Sequence, residues 1–375
     1  MLSALVRLSL CFGCFLTLFF FAFHFEVAGG TVCVYSIHFI EYHNIVEMRR
    51  AVVERTEKNH IGFGKIILFG EHFVVHGAEA LVAGIDEYTS CRLELTKGQP
   101  GICVVDGRPA VPGYIVEKAE EQRLAHRLVF RHLNIDTSVD GVRIHLGGPL
   151  VPTSGIGASA SDVVSLSRAL SEMYGLDLTE DEVNLSAFVG EGGYHGTPSG
   201  ADNTAATFGG LISYRRVNGV SNFSRVLITR PLFLVVCSTG ITTSTTKVVG
   251  EIRELKENNP TWFNALLERY NACVGEAKAA MEVGNLFRMG ELMNENHKLC
   301  QELTVSCAEL DTIVNFCCEN GALGAKMSGT GRGGLVVALA ADEAQRDGIA
   351  DAVRQRCPAA KFVWKYTVCP RSAKI

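Results

Sequence analysis

From residue 60 onward, short apolar runs alternate with stretches of helical spacing. Residues 61–75, IGFGKIILFGEHFVV, read as strand, turn and strand, and residues 80–96 continue in a strand pattern. Residues 113–132 have helical spacing. Residues 142–146 form a short apolar strand that leads into PLVPTSGIGASAS (149–161), and a helical run follows from Asp162 to Tyr174. Thr179 with Glu182 three positions later is a capping box. It opens a helix predicted to end near Val189, with a glycine-rich loop at 190–194. Pro198 and Ser199 open another short helix, and 211–215 and 233–237 are predicted strands. Residues 247–319 are mostly helical, broken near 258–260 and at Gly284. LGAKMSGTGRGGLVVALA (323–340) then sets a second glycine-rich turn between two strands. This order predicts an α+β chain in two halves, with the boundary near residues 225–232.

The first 47 residues do not share this pattern. Residues 8–23, LSLCFGCFLTLFFFAF, are an apolar run preceded by Arg7. Three readings stay open: a signal-peptide core, a short membrane anchor, or sequence ahead of a start at Met48. The expected division is therefore an extension over 1–47, an N-terminal domain over 48–228 and a C-terminal domain over 229–375. With 47% hydrophobic and 20% charged residues, the 375-residue chain is globular in composition. Its formal net charge of −5 gives no basic footprint, which argues against nucleic acid as a partner. The 13 cysteines are scattered without paired metal spacings and read as small core residues in a reducing compartment. The terminal Ala373-Lys374-Ile375 is similar to the small–basic–aliphatic ending of peroxisomal signals, although three residues are a short match and a plain solvated tail is the favoured reading. A cytoplasmic or peroxisome-like location is expected.

The turn at Gly155-Ile156-Gly157, between strand and helix, admits three chemistries. A dinucleotide site needs an acid at the end of a second strand about twenty residues on. Asp177 has that spacing but leads straight into a helix. The turn is also compatible with serines that merely cap a helix. The third reading is a triphosphate cradle. Gly155, Gly157 and the small Ala158 let the backbone approach a phosphate, the helix start supplies free N–H groups, and Ser159 and Ser161 add hydroxyls. No lysine ends the loop, which on this reading works through backbone amides and the helix end. Residues 191–202, EGGYHGTPSGAD, set two acids around a glycine–proline loop. That suits a magnesium carboxylate and a second carboxylate facing an attacking hydroxyl; alternatively, Asp202 is the capping partner of Ser199. Lys65 sits where strand alternation buries a charge, so it either snorkels or points into a site.

Together these stretches resemble the GHMP kinases, a family of small-molecule kinases, whose three motifs appear in order. GKIILFGEHFVVHG (64–77) looks like the first, PTSGIGASAS (152–161) the second and AKMSGTGRGG (325–334) the third. Within the family the chain is similar to the mevalonate kinases, through Lys65, Gly70-Glu71-His72, His76-Gly77 and the 191–202 block. The resemblance implies an N-terminal domain like domain 2 of ribosomal protein S5, with a left-handed crossover. It also implies a ferredoxin-like C-terminal domain and a site in the cleft between the two. The implied reaction is ATP-dependent phosphorylation of the 5-hydroxyl of mevalonate, with Mg²⁺ as cofactor, in isoprenoid precursor synthesis. Asp202 then matches the catalytic base and Lys65 the lysine beside the hydroxyl. Ser159 and Glu191 match the metal ligands. Pro152, Ser154, Gly155, Gly157, Ala158, Ser159, Ala160 and Ser161 form the nucleotide cradle. Glu71, His72 and Thr246 lie on the substrate side. Two departures stand out: Ala158 replaces a serine usual in the second motif, and Arg332 a glycine usual in the third. The alternatives are another kinase of the family, or a non-catalytic member, which would be expected to have lost Lys65, Glu191 or Asp202. A homodimer and membrane association through residues 8–23 stay open.

Overall fold

A computed structural model describes residues 60–370, apart from 111, 112, 153, 154, 197 and 218, together with strands β1 (Phe20–Val27) and β2 (Gly30–Ile37). β1 and β2 pair antiparallel, from Phe20 opposite Ile37 to Val27 opposite Gly30, and belong to a unit separate from the one that starts at Glu57. Residues 20–23 of the apolar run lie in β1; residues 8–19 and the terminal Ala373-Lys374-Ile375 fall outside the described residues. Among the described residues no helix is long and apolar enough to cross a membrane.

The larger unit is built on two sheets. The first contains β3 (Ile61–Phe69), β4 (Ala80–Thr96), β5 (Ile102–Asp106), β6 (Gly141–Gly147), β7 (Gly210–Val217) and β8 (Val220–Val226). Its order is β5-β6-β4-β7-β8, with β3 also paired to the long β4. Only β5 and β6 run parallel, which demands a crossover. The helices α1 (Tyr114–Glu117) and α2 (Ala119–His132) supply it. α3 (Ala158–Tyr174), α4 (Glu180–His195) and α5 (Ala201–Phe208) complete this half. α3 is rich in serine and alanine, and all of its first ten residues are buried.

The second sheet contains β9 (Leu232–Ser238), β10 (Gly324–Ser328), β11 (Leu335–Ala340) and β12 (Phe362–Val368), all antiparallel. Its order is β10-β11-β9-β12. In order of appearance that is second, third, first, fourth, the ferredoxin-like arrangement. Around it lie α6 (Thr245–Asn258), α7 (Pro260–Glu282), α8 (Leu286–Glu302), α9 (Ala308–Glu319) and α10 (Glu343–Arg356). One apolar core runs from the end of β3 into this half. Phe73 stacks on Tyr270 of α7 at 4.2 Å, and Tyr270 donates its hydroxyl to the Glu79 carbonyl at 2.6 Å.

Several elements differ from the pattern reading. Residues 190–194 are not a loop but the last turns of α4. Glycine lowers helix propensity by about 1 kcal/mol, but here packing decides. A Cβ on Gly193 would stand 2.3 Å from the Ala125 backbone nitrogen, and one on Gly190 would stand 2.7 Å from Val129. These glycines let α4 lie directly against α2. Residues 73–76 are a 3-10 turn rather than a strand, because Gly70 and His72 take positive φ of 133° and 58° and fold the chain back. The 113–132 helix divides at Lys118. The Thr179–Glu182 capping box is present in both directions.

Candidate active site

The site begins with Lys65 in the middle of β3, only 5% exposed. The β3–β4 ladder shifts register between Phe63 and Lys65, and the Lys65 N–H turns instead to the Ile156 carbonyl at 2.8 Å. Such irregularities re-aim a side chain. The loop of the second motif closes over the lysine stem. Gly157, at φ +73°, caps α3, and a Cβ there would stand 2.6 Å from Lys65 Cγ. Lys65 Nζ then reaches Asp202 Oδ2 at 3.0 Å. Asp202 is the second residue of α5, whose N-cap is Gly200. The alternative role of Asp202 as a capping partner of Ser199 gives way to this ion pair. The Ser199 hydroxyl accepts from the Ala201 N–H at 3.2 Å instead.

The second motif places a helix start beside this pair. The first intrahelical bond there runs from Ser161 N–H to the Gly157 carbonyl at 2.9 Å, so the N–H groups of 158–160 precede the ladder. Gly155 is exposed, whereas Pro152, Ala158 and Ala160 are buried. The Ser161 hydroxyl is engaged internally, 2.7 Å from Thr89 Oγ1 and donating to the Ala158 carbonyl at 3.1 Å. Ser154 lies outside the described residues. Ser159 is the loop hydroxyl that faces other site groups, with Oγ 3.2 Å from His195 Nε2.

Glu191 stands beside Ser159 and is 1% exposed. Its Oε2 lies 3.9 Å from His195 Nε2, and its buried Oε1 has no hydrogen-bond partner among the described residues. Burial, then the nearby charge of Asp202, push its pKa up to about 8 against the opposing pull of Ser159 and Lys65. Burial likewise lowers the His195 pKa, so its imidazole is neutral at physiological pH. A carboxyl group with one unengaged oxygen, which gives up its proton when a cation binds, beside a hydroxyl and a helix start, is an oxygen donor set suited to a hard divalent cation that takes its remaining ligands from phosphates and water.

The third motif docks on the first from the other half. Lys326, 0% exposed, donates to Glu71 Oε1 at 2.5 Å and to the Met327 carbonyl at 2.6 Å. Glu71 is thus turned inward. His72 donates from Nε2 to the Thr330 carbonyl at 2.7 Å, and burial, its largest influence, lowers its pKa. Its buried Nδ1 is left without a partner among the described residues. The Ser328 hydroxyl donates to the Ile67 carbonyl at 2.8 Å. Thr246 lies in the first turn of α6, and Thr245 Oγ1 is 2.6 Å from Thr330 Oγ1. Arg332, at φ +51°, pairs with Glu251 and donates to the Thr304 carbonyl at 3.2 Å.

Two family models match the chain in the same order as these motifs: the GHMP kinases N terminal domain over residues 118–210, and the GHMP kinases C terminal over 277–359. Mevalonate kinase of Thermococcus sibiricus (strain DSM 12597 / MM 739) is 32% identical over 300 residues, covering 74% of this chain and 88% of its own length. The chain belongs to the GHMP kinase family. A second relative, mevalonate kinase of Aeropyrum pernix, is 32% identical over 283 residues, 74% of this chain and 86% of its own. Among solved structures, L. major mevalonate kinase in complex with R-mevalonate superposes with a TM-score of 0.82 at 61% identity, over 83% of this chain and 95% of that one.

Two residues of this GHMP kinase site escape a linear reading. His195 lies four residues after Glu191, one helical turn along the same face, a signal lost once 190–194 is taken as a loop. Lys326 lies inside the third motif, but its partner Glu71 is 255 positions away.

Proposed function

We propose that this chain transfers the γ-phosphoryl group of ATP to the 5-hydroxyl of mevalonate, giving 5-phosphomevalonate and ADP in the mevalonate route to isoprenoids. The observation that carries this reading is the Lys65–Asp202 pair, 3.0 Å apart and set beside the start of α3. Asp202 accepts the proton of the attacking hydroxyl. Lys65 orients that carboxylate and offsets the negative charge that grows on the hydroxyl oxygen. The backbone N–H groups of 158–160 and the positive end of α3 bind phosphate oxygens. His72, neutral and with a free acceptor at Nδ1, receives a substrate hydroxyl. Ser159 and Glu191 would hold Mg²⁺, which when bound neutralises charge on the phosphates. Phosphoryl transfer of this kind depends mainly on positioning and charge, and these residues supply both.

The test is a coupled ADP-release assay of the chain with mevalonate, phosphomevalonate, homoserine and galactose. Turnover is expected with mevalonate alone, and preferred turnover of another substrate would overturn the assignment. Asp202→Asn is expected to lower kcat by about 10²–10⁴, the usual range for a general base, with nucleotide affinity kept. Near-normal turnover in that variant would remove Asp202 from the mechanism.

A further inference from the structure

Ser159 and Glu191 come from two neighbouring helices, α3 and α4. One turn further along each helix, on the same face, stand Asp162 and Tyr194. The Tyr194 hydroxyl donates to Asp162 Oδ2 at 2.6 Å. The two helices are therefore joined by two neighbouring rungs. The outer rung is Ser159, His195 and Glu191; the inner rung is Asp162 and Tyr194.

The inner rung is fixed from every side. Asp162 is 0% exposed and accepts from His126 Nε2 at 2.9 and 3.0 Å and from Gln122 Nε2 at 3.0 Å. Gln122 also donates to Asp106 Oδ2 at 3.2 Å. The Arg108 guanidinium grips Asp106 at 2.9 and 2.6 Å and donates to the Ala158 carbonyl, the residue before Ser159, at 3.3 Å. Burial would raise the Asp162 pKa, yet His126, Arg108 and Tyr194 outweigh it and hold the carboxyl at about 2. Asp162 is thus an anion across the working range, and its hydrogen-bond partners are in place on α2 and α4. A buried and well-satisfied polar cluster admits one arrangement of the elements that carry it.

We propose that Asp162 and Tyr194 are positioning residues that set the spacing and register of α3 against α4, and so place Ser159 and Glu191 around a metal-bound nucleotide. The proposal rests on the reading of Ser159 and Glu191 given under Proposed function. Outer-shell partners of this kind are usually worth about 10–100-fold in metal affinity.

Tyr194→Phe removes one hydroxyl and little volume. Binding of adenylyl imidodiphosphate is measured by calorimetry with and without Mg²⁺, alongside KM for mevalonate and the melting temperature. The expected result is a loss of about tenfold in the Mg²⁺-dependent gain in affinity. Metal-free nucleotide binding and KM for mevalonate stay unchanged. Asp162→Asn is expected to act in the same direction and more strongly; where it does not fold, Tyr194→Phe decides. A Tyr194→Phe variant that melts earlier but keeps the full Mg²⁺-dependent gain would reduce the rung to ordinary packing and overturn the proposal. Glu191→Gln separates the two levels. If it leaves the gain intact, the metal reading fails and the rung fails with it. If it abolishes the gain while Tyr194→Phe does not change it, the rung alone fails.

Discussion

The two ends of α3 offer a matched pair of substitutions. Gly157 caps its start at φ +73° and Gly175 its end at φ +60°. Alanine at either position is forced into the left-handed region, at a cost of about 1–2 kcal/mol. The positions differ in what a methyl group meets. At Gly175 nothing lies within 4 Å, whereas at Gly157 the new carbon stands 2.6 Å from Lys65 Cγ and 3.2 Å from the Lys65 backbone nitrogen. That nitrogen is tied to the Ile156 carbonyl at 2.8 Å and the lysine side chain is 6% exposed, so neither atom has free space to move into. Overpacking of this kind adds about 1–3 kcal/mol. Gly157→Ala should therefore lose about 2–5 kcal/mol in urea unfolding against about 1–2 for Gly175→Ala. The functional contrast is sharper. Pushing the lysine stem aside draws Nζ from Asp202, and a misplacement of about 1 Å near the reacting atoms costs about 10² in rate. Steady-state kinetics at saturating substrates should show that loss in Gly157→Ala and wild-type kcat in Gly175→Ala. Equal stabilities and equal kcat in the two variants would refute the idea that the glycine loop seats the lysine.

Arg332→Gly should leave kcat unchanged and move stability by no more than about 1 kcal/mol, since the pair with Glu251 is only half-buried and solvent-screened and glycine relieves a positive φ; a tenfold fall in kcat would show that the guanidinium serves the nucleotide. Lys326→Met strands the Glu71 carboxylate in the core and should cost about 3–5 kcal/mol, with much of it recovered in the Lys326→Met/Glu71→Gln double variant; a neutral single variant in thermal melts would refute the buried pair. His76 has its pKa lowered to about 4, first by burial and then by Lys256 and Arg253. Its neutral form contributes stability above the unfolded value near 6.5 that is lost as pH falls toward 4. Urea unfolding at pH 7 and pH 5 should show a smaller decline for His76→Asn than for wild type, and identical declines would remove His76 from the acid sensitivity.

What could be read along the chain was local. The Thr179–Glu182 capping box spans four residues, and the turn at 155–157 announces itself by glycines whose conformations few other residues adopt. What could not be read depends on partners distant in sequence. α4 continues through Gly190 and Gly193 because α2 lies against it, a fact carried by Ala125 and Val129 more than sixty residues earlier. β8 went unread because nearly all of its side chains are solvated, so it has no apolar face to betray it. The same distinction explains how the three motifs work. Each is recognisable alone, yet none is a site alone. The first holds Lys65 but needs the Gly157 turn of the second to seat it. It also holds Glu71 and His72, which find their partners at Lys326 and Thr330 of the third. The second approaches the residue that follows the third, where a Cβ on Gly155 would stand 2.8 Å from Leu335 at the start of β11. The first motif therefore meets both of the others, and β3 is the element on which the third converges while the second closes over it. Gly157→Ala strikes the contact of the second motif with Lys65, and Gly175→Ala, at the other end of the same helix with nothing within 4 Å of its added carbon, leaves that contact alone and serves as its control.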